Sequence, residues 1–499
     1  MIDGILTGLE VAIRPVNLLL VSVGCFAGTI IGMLPGLGPV SAIALLVPVT
    51  YAFDPASALI LLAGVYYGAV FGGSTSAILL NAPGVAGTVA TTFDGYPLAQ
   101  KGLPGKALAV AAYASFAGGT IAAVLLLLAA PALAVVSLSF QSPEYFALMV
   151  LGLISVTAFA GEDNAAKAGF MAVLGLMLGT VGTDRTDGVM RFTYGRLDLL
   201  DGISFLLLAM AAFALSEVLL SVLSGHSVSG NARRSALGSL RLKRKEVKQV
   251  APAVGRSSLL GFFVGVLPGA GATIASFMGY SMERSIAKGE AQKEFGKGSL
   301  RGLAAPESAN NAASSGSFVP LLTLGVPGSG TTAVMLGALI SYGINPGPTL
   351  FVERPDVFWG VIVSMYIGNV VLLILNLPLI PYISRVLTLP SNVLAPLIVF
   401  FCLAGVFLVS FNTFDLYMMI GIGVIAVVLR LYRYPMAPMI VGFTLGGLLE
   451  TNLRRSLVLY NDSFSFLWER PITLAILSAT VLIAGIPLFR KAWRRAVVD

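Results

Sequence analysis

Two strings of hydroxyl and amide residues interrupt otherwise apolar sequence. Gly72-Gly-Ser74-Thr75-Ser76 leads into Asn81-Ala-Pro83-Gly84, and Glu307-Ser-Ala-Asn310-Asn311-Ala-Ala-Ser314-Ser315-Gly-Ser317 leads into Pro327-Gly328-Ser329-Gly-Thr331-Thr332. Hydroxyls, amides and bare helix N-termini bind a carboxylate without a permanent counter-charge. Carbonyl, hydroxyl and amide oxygens can meanwhile replace the water around Na⁺. The candidate substrate-binding residues are therefore Ser74, Thr75, Ser76, Asn81 and Gly84 in the first string, and Ser314, Ser315, Gly328, Ser329, Thr331 and Thr332 in the second. Asn310, Asn311, Glu307 and Asp94 are the candidate cation-coupling residues. Glu307 and Asp94 each belong to a polar stretch beside a Pro-Gly pair, and an ionisable group at membrane depth is a functional-site hypothesis by default. No cofactor is expected beyond Na⁺ as a coupling ion, and whether any metal site exists is open.

Other chemistries lack their residues. The chain holds one histidine, His226, in a polar stretch, so Ser-His-Asp and histidine-metal sites have no candidates. Gly296-Lys297 is followed by glycine and does not complete a phosphate loop, and no Gly-x-Gly pair continues as a dinucleotide fingerprint. Cys25 and Cys402 sit in apolar runs, where a thiol is ordinarily a small core hydrophobe. No enzyme activity is expected.

These polar strings must be positioned inside a membrane. Of 499 residues, 57% are hydrophobic and only 11% charged, against roughly a quarter charged in an average soluble protein. Runs such as 121–136 are apolar on both phases, which excludes an alternating β-barrel strand. The expectation is an all-α polytopic membrane protein with about 10–12 transmembrane helices, at about 20 apolar residues each. The first apolar stretch reads as a mature span, because Met1 to Arg14 carries Asp3 and Glu10 and lacks a basic n-region.

An internal repeat organises the chain. Gly28-Thr-Ile-Ile-Gly32-Met-Leu-Pro35-Gly36-Leu-Gly38 recurs as Gly261-Phe-Phe-Val-Gly265-Val-Leu-Pro268-Gly269-Ala-Gly271. A second pair follows in the same order, Asn81-Ala-Pro83-Gly84 matching Gly325-Val-Pro327-Gly328. Two homologous repeats result, 1–225 and 257–499, joined by a basic linker at 226–256. Proline removes a backbone donor and glycine leaves freed carbonyls uncovered, so helices should break or re-enter at these motifs. Broken backbone survives in hydrocarbon only when buried in protein or lining a cavity. Paired breaks at matching places in two halves point to a transporter's central site.

Charge orients the chain. Between Arg233 and Arg256, eight Lys and Arg face one acid, Glu246, which makes the linker cytoplasmic by the positive-inside rule. The tail, with Arg490, Lys491, Arg494 and Arg495, falls on the same side. Basic residues also follow the second Leu-Pro-Gly, and few apolar residues precede it, so Leu259 to Met282 reads as a re-entrant hairpin, with Val16 to Phe53 as its counterpart. Inverted and parallel arrangements of the halves both stay open. No nucleic-acid role is expected of the basic run; the lipid bilayer is the surrounding partner.

With these motifs in view, the chain resembles the large membrane subunit of the bacterial tripartite tricarboxylate transporter family. The likeness runs through the first Leu-Pro-Gly motif, Tyr67-Gly-Ala-Val-Phe-Gly-Gly-Ser74, Asn81-Ala-Pro-Gly84, Asp94-Gly-Tyr-Pro97, Ala305-Pro-Glu-Ser-Ala-Asn-Asn311 and Leu321-Leu-Thr-Leu-Gly-Val-Pro-Gly328. The resemblance implies a secondary importer of di- or tricarboxylates such as citrate in the bacterial inner membrane, driven by a Na⁺ or H⁺ gradient. It also implies two partners, a small transmembrane subunit and a periplasmic solute-binding protein. Alternating access is the expected mechanism, and a passive carboxylate or anion channel is the competing one.

Overall fold

The computed structural model describes residues 2–34, 37–137, 139–160, 164–184, 187–223, 238–344, 346–388 and 391–498. His226 and Pro35-Gly36 lie outside the described residues. The first half comprises α1 (Ile2–Ala12), α2 (Pro15–Met33), α3 (Gly38–Thr50), α4 (Pro55–Leu80), α5 (Val89–Gln100), α6 (Pro104–Ser137), α7 (Ser142–Ala158) and α8 (Ala165–Gly179). A short antiparallel hairpin follows, β1 (Gly182–Thr183) with β2 (Met190–Arg191). Then α9 (Phe205–Ala209) runs through a π-helical turn, Met210–Leu215, into α10 (Ser216–Leu223).

The second half begins with α11 (Arg244–Val266), α12 (Gly271–Ile286), α13 (Glu290–Lys293), α14 (Leu300–Gly316), α15 (Phe318–Leu324) and α16 (Gly330–Ser341). It continues with α17 (Pro348–Glu353), α18 (Pro355–Asn376), α19 (Ile380–Ile383), α20 (Ser391–Ser410), α21 (Thr413–Leu431), α22 (Ala437–Leu459), α23 (Phe466–Glu469) and α24 (Pro471–Val498). Among the described residues, six helices are long and apolar enough to cross a bilayer and six shorter ones are apolar. The protein is an all-α polytopic membrane protein.

Local chemistry sets the helix ends. Asp54 caps α4 by accepting from the amides of Ala56 and Ser57 at 3.1 and 3.2 Å, with Pro55 at the first helical position. At its other end Asn81 adopts a left-handed conformation, φ 56°, and α15 ends the same way at Gly325, φ 68°. Asn is among the few non-glycine residues that tolerate this region. The two second breaks thus begin with the same backbone turn. One boundary differs from the sequence reading. Residues 244–256, expected in the linker, form the first turns of α11, started where the Lys243 amide donates to Glu246 at 2.7 Å. Their charge made helix look like loop.

Each Leu-Pro-Gly hairpin packs on a buried central helix through glycine. Cβ atoms at Gly24, Gly28 and Gly32 of α2 would run into the carbonyls of Leu61, Val65 and Ala69 of α4, so the two helices run parallel in near backbone contact. In the second half Gly261 and Gly265 of α11 meet the carbonyls of Ala309 and Ala313 of α14 in the same way. Such small-residue faces suit helices in lipid, where packing rather than the hydrophobic effect drives association. Both central helices are almost wholly buried. They run antiparallel to each other, Ser74 lying beside Glu307 and Tyr67 beside Phe318, with ring centroids 5.6 Å apart.

Two ends follow from this. At the linker end, Lys106 pairs with Glu246 at 2.8 Å, and Lys101 donates to the Lys297 carbonyl at 2.6 Å. Here too Glu283 of α12 is completely buried between Arg256 of α11 and Arg301 of α14, at 2.7 Å from each. At the far end, arginines pair with acids: Arg470 with Glu144 at 2.8 Å, Arg354 with Asp356 at 2.8 Å, and Arg191 and Arg454 with Glu450 and Asp184.

The glycine contact is testable. Gly28→Val would drive side-chain atoms into the Val65 backbone and is expected to destabilise the protein by about 1–3 kcal/mol. Gly255→Ala, which meets open space in α11, should be neutral or stabilising by up to about 1 kcal/mol. Because both free cysteines, Cys25 and Cys402, are buried, thermal exposure to a thiol-reactive dye reads the difference directly. Equal midpoints for Gly28→Val and wild type would contradict the close packing.

Candidate substrate and cation site

The breaks meet the central helices at different heights. Gly84 of the first break lies against the Gly32 carbonyl and the Gly73 backbone, and Gly328 of the second against the Gly265 carbonyl and Ser317. The Gly269 amide also donates to the Gly328 carbonyl at 3.1 Å, joining the hairpin tip to the second break. Taken along the antiparallel pair α4 and α14, the two levels are about 12 Å apart at 1.5 Å per residue. The hairpins enter from opposite ends and overlap.

At the first break the centre is Glu307, whose side chain is completely buried. Its Oε2 accepts from Ser74 Oγ at 2.7 Å and Ser115 Oγ at 2.8 Å, and its Oε1 accepts from the Thr91 hydroxyl. Three helices, α4, α5 and α6, thereby converge on one carboxylate of α14. Among the described residues no Lys or Arg pairs with it. One turn further, Asn310 is buried with neither amide atom hydrogen-bonded, and it fills the space that a side chain at Gly87 would occupy. A small cavity lies alongside, lined by Phe71, Ser74, Thr75, Ser115 and Asn376 among others. Thr88 closes the break onto α4 by donating to the Gly73 carbonyl at 3.2 Å.

The second break carries hydroxyls but no charge. Ser329 caps α16, accepting from the Thr332 amide at 3.2 Å, while the Thr332 hydroxyl accepts from the Ser329 amide at 2.8 Å. Tyr66 of α4 reaches in from the other half, its hydroxyl 3.5 Å from Ser329 Oγ. Tyr66, Tyr67 and Phe318 form an aromatic wall beside it, with centroids 5.6–6.0 Å apart. The N-terminus of α16 and the Tyr66 and Ser329 hydroxyls give an anion donors without a fixed cation.

The structure thus places the sequence candidates unevenly. Ser74 and Glu307 come together, Thr75 lines the adjoining cavity, and Ser329 faces Tyr66. Ser76 and Ser314 are turned back on their own helices, donating to the carbonyls of Gly73 and Asn310, and Asn311 donates to the Glu307 carbonyl at 3.0 Å. Asn81 serves the turn, while Gly84 and Gly328 permit close approach. Ser315 and Thr331 are buried near the second break. Asp94 stands apart from Glu307. It accepts from the amides of Gly298 and Ser299 at 2.8 and 2.7 Å, holding the turn that leads into α14, whose cap is Ser299. Sequence reasoning passed over Thr91, Ser115 and Tyr66, whose polar partners lie 216, 192 and 263 residues away. Among the described residues no three of His, Cys, Asp and Glu gather at one point.

The model of the tripartite tricarboxylate transporter TctA family matches residues 18–441. An uncharacterised 52.8 kDa protein in the TAR-I ttuC' 3' region of Agrobacterium vitis is 42% identical over 502 residues, covering 100% of this chain and 99% of that protein. A second protein of the same organism, in its TAR-II ttuC' 3' region, is 43% identical over 242 residues, covering 48% of this chain and 99% of its own length. No solved structure matches. Carrying the family's pattern over most of its length, the chain belongs to the tripartite tricarboxylate transporter TctA family.

Proposed function

We propose that this protein is the large membrane subunit of a binding-protein-dependent secondary transporter. It imports di- or tricarboxylates of the citrate type by alternating access, coupled to a Na⁺ or H⁺ gradient. The observation that carries this reading is the pair of chain breaks held on antiparallel central helices and entered from opposite ends. Tyr66 and Asn310 occupy corresponding places in the duplicated sequence, and each faces the other half's break. We read the halves, 1–225 and 257–499, as inverted repeats related by a half-turn in the membrane plane, a relation typical of alternating access.

Within this reading the second break takes the carboxylate and the first takes the cation. The basic linker puts the linker end in the cytoplasm of the bacterial inner membrane. The far end, where acids neutralise the arginines, is then periplasmic and receives the solute-binding protein. Lipid-facing positions such as Leu19, Phe400 and Val481 are exposed, and some of that surface contacts the small subunit.

Uptake by proteoliposomes holding this chain, its small subunit and the binding protein tests the proposal. Labelled citrate should accumulate under an inward Na⁺ or H⁺ gradient and stop when the gradient is collapsed. Equilibration without accumulation under every gradient would instead identify an anion channel, since a channel cannot concentrate its solute. Tyr66→Phe removes one hydroxyl from the proposed carboxylate site. A hydrogen bond to a charged group is worth about 1.5–3 kcal/mol, so the KM should rise about tenfold or more with little change in folding. An unchanged KM would move the carboxylate elsewhere.

A further inference from the structure

We infer that Glu307, the hydroxyls of Ser74, Thr91 and Ser115, and the amide oxygen of Asn310 together seat one Na⁺ ion at the first break. This rests on the transport reading above and gives its driving ion a place. The carboxylate is completely buried and receives three hydroxyl hydrogens, with no Lys or Arg paired to it among the described residues. An ionised group so placed is costly unless a cation joins it. The set offers two carboxylate, three hydroxyl and one amide oxygen, a hard all-oxygen shell of the kind that suits a hard cation.

The hydroxyls can serve both states. A hydroxyl is donor and acceptor at once, so the three that donate to Glu307 can rotate to present lone pairs to an ion. Asn310 is the independent observation that points to an ion. Both its amide atoms are buried without a partner, although Gly87 leaves it room and Glu307 lies one turn away on the same helix. Asn376, whose Oδ1 is also buried and unpartnered, lines the cavity touching Ser74 and Ser115, which gives the ion a polar approach. A proton would need one carboxylate oxygen and would leave Asn310 unexplained.

Occupancy would also favour the anion. Opposite unit charges about 12 Å apart, in an interior of effective dielectric constant about 20, attract by roughly tenfold in an equilibrium constant. Na⁺ at the first break therefore raises carboxylate affinity at the second, and the reverse holds equally.

Binding of ²²Na⁺ to the purified full chain in nanodiscs decides the matter, with choline as the balancing ion. Wild type should bind one Na⁺ per chain. Glu307→Gln should lose at least tenfold in affinity. Ser115→Ala, which removes one oxygen from α6 and leaves the carboxylate in place, should weaken binding several-fold, and thiol-exposure midpoints show whether each variant is folded. Wild-type Na⁺ affinity in folded Ser115→Ala and Glu307→Gln overturns the site. So does the absence of Na⁺ binding in a wild-type protein whose uptake follows a pH gradient alone. Parallel citrate uptake separates the two claims. Na⁺-driven accumulation that survives in both variants removes this site but keeps the transporter, whereas a Na⁺ ion lost on Glu307→Gln from a protein that only equilibrates citrate keeps the site and removes the transporter.

Discussion

Everything in this molecule depends on backbone that leaves its helix inside a membrane. A freed amide or carbonyl in hydrocarbon costs several kcal/mol, so each Pro-Gly break has to be enclosed by protein. Glycine makes the enclosure possible. The faces Gly24, Gly28, Gly32 and Gly261, Gly265 bring each hairpin into backbone contact with a central helix, and Gly84 and Gly328 then fit against the carbonyls of Gly32 and Gly265. Larger residues at any of these points would push the breaks away from the helices that cover them.

That enclosure also brings opposite halves of the chain into one place. Because α4 and α14 run antiparallel, residues of one half line the break of the other, as Tyr66 does for Ser329 and Asn310 for Gly87. The two surroundings nonetheless differ chemically. One is built around a carboxylate and its hydroxyl donors, the other around aromatic rings, a capped helix start and neutral hydroxyls. The two breaks thus differ in their surroundings, a buried carboxylate at one and neutral hydroxyls beside aromatic rings at the other.

How much of this was readable beforehand varies residue by residue. Composition and run length gave the helical membrane class, and recurrence of Leu-Pro-Gly and Pro-Gly located both breaks. Glu307 stood out as an acid inside a polar string. Its partners Thr91 and Ser115 did not, because an isolated hydroxyl in a helix carries no local sign of a contact some two hundred residues distant. Ser76, Ser314 and Asn311 show the converse, since their composition suggested ligands while their side chains satisfy carbonyls of their own helices. Asp94, the other acid beside a Pro-Gly pair, accepts from the amides of Gly298 and Ser299 just ahead of α14, a contact across some two hundred residues that no local pattern announces. The early start of α11 was hidden by charged residues that helix and loop use alike.

The buried Glu283, gripped by Arg256 and Arg301, fastens both arms of the second hairpin to the foot of α14. Removing either guanidinium would leave the buried carboxylate with one cationic partner in place of two. One carboxylate of α12 thus ties together three helices, α11, α12 and α14, the last of which carries Glu307. The first hairpin is anchored at its own foot by the neutral amide of Asn17 accepting from Ser57 at 2.5 Å. The two hairpins are therefore held at their feet by different means, one by a buried charge between two guanidinium groups and the other by a neutral hydrogen bond.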